Sequence, residues 1–125
     1  MAKSLMIVDD SATMRKIIMR TVRMAGLKFD TIEEAGNGAE AISKLNGQPV
    51  DIVLCDVNMP EMNGLEMVRK VRTELPACSN TKIVMVSTES AQELIESVMK
   101  DGANGFINKP FTPEKFRDGL SPFMN

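Results

Sequence analysis

Two periods of apolar residues run through the chain in alternation. Short continuous apolar runs read as strands, and segments with apolar residues three and four apart read as helices. Leu5-Met6-Ile7-Val8 is the first run. From Met14 the positions Met14, Ile17, Ile18, Val22 and Ala25 follow helical spacing, with Arg15, Lys16, Arg20 and Arg23 off the stripe. Gly26 suits the position just past that helix. Asp30 to Ala35 reads as a weaker strand whose acidic content suggests a sheet edge, and Ala39 to Leu45 as a short helix closed by Gly47 and Pro49. Val50 to Cys55 is the strongest strand, with Asp51 its single polar residue.

The second half repeats the pattern. Leu65 to Leu75 turns Met67, Val68, Val71 and Leu75 inward and carries the outward pair Glu66–Lys70. Ile83 to Val86 is another apolar strand. Ser90 and Glu93 form a capping box ahead of the stripe Ala91, Leu94, Ile95, Val98 and Met99. Gly105 to Asn108 is the last strand. Thr112-Pro113-Glu114 opens the final helix, with proline at its first position. Phe116, Leu120 and Phe123 carry this helix, while Gly119 and Pro122 weaken its end. Five strand–helix units with strands apolar on both faces predict an α/β domain, residues 1–125, whose parallel sheet is covered by helices on each side. Right-handed crossovers leave few topologies for it.

Composition narrows the function. The charge of −2 and the lack of a basic block argue against nucleic acid or a membrane surface as partner. No apolar stretch reaches membrane-spanning length, and the opening run is too short for a signal peptide. Cys55 and Cys78 are too few and too far apart for a zinc site or disulfide framework, so a reduced, cytoplasmic protein is expected. The absence of histidine removes the commonest general base and the Ser-His and Cys-His pairs.

Polar residues fall where the strands end: Asp9 and Asp10 after the first, Asp56 after the third, Ser87 and Thr88 after the fourth, Lys109 after the fifth. In a parallel sheet these ends share one edge, where such folds gather their functional residues. If the first and third strands are neighbours, Asp10 and Asp56 emerge roughly 5 Å apart. Carboxylates that close repel unless a cation intervenes. A hard cation held by carboxylates, a carbonyl and waters describes a Mg²⁺ site. A carboxylate nucleophile, a divalent cation, a lysine and a hydroxyl together suit phosphoryl transfer, which needs positioning and charge neutralisation more than a base.

The motifs VDD at 8–10, VLCDVNMPEMNG at 53–64, VMVST at 84–88 and KPF at 109–111 resemble the receiver domain of two-component response regulators. Essentially the whole chain is covered, and the stand-alone chemotaxis members are the most similar kind. The resemblance implies a flavodoxin-like (βα)5 doubly wound sheet of order 2-1-3-4-5. In that order Lys109 starts roughly 10 Å from Asp56, a gap a lysine side chain nearly spans.

By this resemblance Asp56 accepts a phosphoryl group from a sensor histidine kinase. Asp10, Asp56 and the backbone carbonyl of Asn58 ligate Mg²⁺, and Asp9 assists through water. Lys109 pairs with phosphoryl oxygens, and the Lys109–Pro110 bond is cis. Ser87 bonds the phosphate, Phe106 is the aromatic switch, and Asn58 and Glu89 tune hydrolysis. The chemotaxis members commonly have tyrosine at the position of Phe106.

The implied function is a monomeric signalling domain, not an enzyme, limited to self-phosphotransfer and slow self-dephosphorylation. Its face of fourth helix, fifth strand and fifth helix would bind a downstream protein, such as a flagellar motor switch. Since the sequence stops with the receiver, output through another protein is expected. The alternatives are a phosphate sink and a haloacid dehalogenase-like phosphohydrolase, which would place a second Asp where Asn58 stands.

Each residue also has an ordinary structural reading. Asp9 and Asp10 would cap the first helix, Lys109 would be a solvated surface lysine, and Ser87 a turn serine. Asn58 and Glu89 would be loop residues, and Phe106 fixed core. The methionines are expected mostly in the core, Met14, Met67 and Met99 among them, with Met19, Met59 and Met62 the candidates for exposed contacts.

Overall fold

The sheet contains five parallel strands in the order β2-β1-β3-β4-β5. They are β1 Ser4–Val8, β2 Thr31–Ala35, β3 Ile52–Asp56, β4 Lys82–Ser87 and β5 Gly105–Asn108. Five helices connect and follow them: α1 Ala12–Met24, α2 Gly38–Gly47, α3 Gly64–Glu74, α4 Gln92–Lys100 and α5 Pro113–Leu120. This computed structural model describes residues 3–57, 59, 62–88 and 92–124.

Strand alternation divides the core. Leu5, Ile7, Ile52, Leu54, Val84, Val86 and Ile107 face α1 and α5, where Ile18, Val22, Phe116 and Leu120 meet them. Met6, Val8, Val53, Cys55, Ile83 and Met85 face the other way, against Ala41, Leu45, Met67, Val68, Val71 and Val98. The chain thus reads as continuously apolar in each strand because both faces are covered. The acidic strand β2 lies at the sheet edge, as its composition predicts.

Helix starts follow local chemistry. The side chains of Ser11, Asn37, Asn63 and Thr112 each accept a backbone N–H at the opening of α1, α2, α3 and α5. Ser11, and neither Asp9 nor Asp10, is therefore the cap of α1. Past that helix, Gly26 has φ +81°, the left-handed region where glycine carries no Cβ penalty.

Several boundaries shift from expectation. The third strand begins at Ile52 and includes Asp56, which pairs with Val86 in the ladder. Asp51 lies ahead of it, its Oδ2 accepting the Ser4 N–H at 2.8 Å. Ser87 is likewise the last residue of β4, paired with Asn108. Helix α5 runs through Gly119, ends at Leu120 and passes into a 3-10 turn, Ser121–Phe123. Two stripe positions also fail. Ile17 is 41% exposed, because Ile18, Thr21 and Val22 form the covering face of α1 and leave it on the flank. Met99 is 40% exposed, since α4 reaches the core through Val98. Met19, Met59 and Met62 instead pack partly buried against the two cores. Ser90, which opens the expected capping box with Glu93, and the stripe residue Ala91 lie outside the described residues.

Candidate functional site

The carboxyl ends of β1, β3 and β5 bring the predicted charges together. Asp9 follows Val8 and is 2% exposed; its backbone N–H reaches the Ala35 carbonyl at 3.1 Å, and its Oδ1 accepts the Ser11 N–H at 2.9 Å. Asp56 terminates β3, where α3 approaches so closely that a Cβ on Gly64 would lie 2.7 Å from Met85 Cε, and closer still to the Asp56 carbonyl oxygen. Lys109 Nζ stands 3.6 Å from Asp9 Oδ2 and 3.7 Å from Asp56 Oδ1, with its side chain 15% exposed. The Lys109–Pro110 bond is cis, and the Lys109 N–H donates to the Ser87 carbonyl at 2.7 Å.

A two-residue period explains why these three side chains meet. Asp9 continues the series Leu5, Ile7; Asp56 continues Ile52, Leu54; Lys109 follows Ile107. All three extend the rows that face α1 and α5. Ser87 and Phe106 belong to the opposite rows, and Phe106 packs partly buried against the core beneath α2, α3 and α4. Ser87 is fully buried.

The acidic group fits a hard cation. Asp9, Asp10 and Asp56 can each present one oxygen with all three lying within 4.8 Å of one another. Asp9 Oδ2 is buried with no hydrogen-bond partner among the described residues, and Lys109 Nζ stands 3.6 Å from it. Burial pushes the Asp9 carboxyl above its ordinary range, opposed by the Ser11 N–H and by Lys109. An oxygen-only donor set with a desolvated carboxylate suits Mg²⁺. Beyond its expected water-mediated part in the acidic cluster, Asp9 is the second carboxylate on Lys109. Its period-two match to Ile7 was the available signal. Beside the cluster, burial pushes the Cys55 thiol far up, and its Sγ contacts Met67 Sδ at 3.7 Å. This cysteine is packing.

Asn58 and Glu89 lie outside the described residues, so the carbonyl expected to ligate Mg²⁺ and the side chain expected to tune hydrolysis are not among the groups placed here. One further neighbour is a helix residue whose spacing marks it only as outward-facing. Arg15 lies off the apolar stripe of α1, yet its side chain is 18% exposed and reaches the Asp9 carbonyl.

The response regulator receiver domain model matches residues 5–121. The chain belongs to the response regulator receiver domain family. A chemotaxis protein CheY homolog from Campylobacter jejuni is 43% identical over 121 residues, covering 96% of this chain and 91% of the relative. The structure of chemotaxis protein CheY4 from Vibrio cholerae superposes with TM-score 0.86 at 33% identity, covering 98% of this chain and 99% of that one. A chain of the CheX–CheY–BeF3–Mg²⁺ complex from Borrelia burgdorferi aligns with TM-score 0.81 at 26% identity, covering 98% of this chain and 90% of that one. This receiver domain is therefore of the CheY type, a signalling fold. No helix among its described residues is long and apolar enough to cross a membrane.

Proposed function

We propose that this receiver is a cytoplasmic response regulator in which Asp56 takes a phosphoryl group from a phosphohistidine of a sensor kinase. The carrying observation is the placement of Lys109 Nζ between the Asp9 and Asp56 carboxylates at the rim of the sheet. In the transfer, the phosphorus–nitrogen bond of the donor breaks as an Asp56 oxygen bonds to phosphorus. A carboxylate needs no base for this step, which agrees with a chain lacking histidine.

Asp10, Asp56 and the Asn58 carbonyl are the groups that would hold Mg²⁺, with Asp9 acting through water. When bound, the cation neutralises charge on the phosphoryl oxygens. Lys109 supplies a second positive charge there, and the Ser87 hydroxyl a hydrogen bond. The Borrelia burgdorferi complex that contains BeF3 and Mg²⁺ supports Mg²⁺ as the cation.

Phosphorylation replaces the single negative charge of the Asp56 carboxylate with about −1.5 to −2 on the phosphoryl group beside Lys109 and Ser87. Drawing Ser87 toward the phosphate opens space for the Phe106 ring, and the face formed by α4, β5 and α5 shifts toward a form that binds a protein partner. Exposed Met99 and a concavity lined by Phe106, Lys115 and Asp118 lie on those elements. Similarity to CheY proteins makes chemotaxis and the flagellar motor the favoured context. A haloacid dehalogenase-like hydrolysis is opposed by Asn58, which stands where a second acid would be required.

Incubation with Mg²⁺ and acetyl phosphate, followed by intact mass, tests the assignment. The wild type gains one phosphoryl group and Asp56→Asn gains none. Equal labelling of both would remove Asp56 as the acceptor.

A further inference from the structure

Asp9 stands where the β1 ladder runs out. The last strand pairs are Val8 with Ala35 and Val8 with Cys55. The Asp9 N–H still finds the Ala35 carbonyl, but its own carbonyl accepts from a side chain: Arg15 Nη1, at 2.6 Å. Arg15 Nε donates to Glu34 Oε1 at 2.9 Å. Glu34 is fixed in turn within edge strand β2, where its own carbonyl accepts from Lys44 Nζ at 2.5 Å. Lys44 also pairs with Glu40 at 3.3 Å, and Glu40 Oε2 accepts the Gly36 N–H at 3.0 Å. One guanidinium thus ties the end of β1, the first turns of α1 and the end of β2 together.

The grip has a geometric consequence. The Asp9 carbonyl lies in the same rigid peptide plane as the Asp10 nitrogen. Holding that oxygen sets the direction in which the chain leaves Asp9, and hence where the Asp10 carboxylate starts. With the Ala35 carbonyl on Asp9 N and the Ser11 N–H on Asp9 Oδ1, the step between the two acids is held on three sides.

We propose that Arg15 is a positioning residue for this site: by clamping the Asp9 carbonyl it holds Asp9 and Asp10 in cation-binding register with Asp56. The inference rests on the Mg²⁺-dependent reading above and assigns Arg15 no contact with the phosphoryl group. Its charge alone would act in the opposite sense. A cation beside three carboxylates repels Mg²⁺, so simple charge removal would tighten metal binding. Loss of the clamp weakens it.

Calorimetric titration with Mg²⁺ separates the two, run on the wild type, Arg15→Ala and Arg15→Lys beside their melting temperatures and acetyl phosphate labelling rates. Removing groups that orient metal ligands costs about 10-fold or more in affinity. Arg15→Ala is therefore expected to raise the Mg²⁺ Kd about 10-fold and to slow labelling at limiting Mg²⁺. Arg15→Lys keeps the charge but lacks the two-armed fork, so its Kd rises as well, by less. If Arg15→Ala proves too unstable to fold, the Lys variant decides: a raised Kd supports the clamp and an unchanged one overturns it. Tighter Mg²⁺ binding by Arg15→Ala, or an unchanged Kd with a lowered melting temperature, overturns the proposal while leaving Asp56 phosphorylation intact. A wild type that binds no Mg²⁺ overturns both.

Discussion

Asp9 is a carboxylate held where a carboxylate is costly. It is 2% exposed, one of its oxygens lacks a hydrogen bond among the described residues, and desolvation raises its pKa above the ordinary range. A folded-state pKa above the unfolded value means that the native state binds more protons across the interval between them. Stability therefore falls as pH rises through that interval, and the penalty is fully present above it. Below about pH 4, where the unfolded group is also protonated, the penalty is gone. Asp9→Asn should accordingly melt higher than the wild type at pH 7 without Mg²⁺, and the difference should shrink toward acid pH. Added Mg²⁺ should then raise the wild-type melting temperature more than that of the variant, because a ligand stabilises the state that binds it. Melting curves across pH with and without Mg²⁺ measure both effects. A variant that melts lower at pH 7 would mean that the Lys109 pairing outweighs the desolvation.

Strand β3 and helix α3 come into close backbone contact at Gly64. Asp56 ends the strand, the Gly64 N–H donates to the Val57 carbonyl at 2.9 Å, and Asn63 caps the helix through the Glu66 N–H. A Cβ at Gly64 would sit 2.7 Å from Met85 Cε and 3.0 Å from Val57 Cα. The methionine end can shift, but the strand backbone cannot do so without displacing Asp56. Gly64→Ala should lose on the order of 2–3 kcal/mol, the upper range for overpacking, measured by urea unfolding. It should also slow Asp56 labelling at saturating Mg²⁺. Wild-type labelling with reduced stability would show that the strand end absorbs the strain elsewhere. At Gly119 a Cβ would lie 2.9 Å from Ile107 Cδ1, a side-chain end that, unlike the backbone at Gly64, can shift.

Across the molecule, the two thiols report whether the sheet stays closed. Cys55 and Cys78 are at most 1% exposed, on the sheet face covered by α2, α3 and α4. Burial also holds the Cys55 thiol in its unreactive protonated form. Iodoacetamide at pH 8 should leave both unmodified in the folded protein and alkylate both in denaturing urea, read by intact mass. Rapid labelling of Cys55 under native conditions would show that the covering helices open without global unfolding.

Periodicity, punctuation and the ends of the apolar runs carried the five strand–helix units, the edge position of β2, the cap at Thr112 and the row of polar residues at one rim. These are local properties: a doubly covered strand must be apolar throughout, and a proline or a capping hydroxyl acts within one turn. Ile17 and Met99 escaped that reading because apolar identity marks a broad stripe, whereas burial depends on the angle at which each helix meets the sheet. The pairing of Lys109 with Asp9 as well as Asp56 required the strands to be placed side by side and in register. So did the close approach at Gly64 and the reach of Arg15 to the Asp9 carbonyl. Such contacts join residues distant in the chain, and their distances follow from strand spacing, twist and helix packing, none of which is written in any single segment.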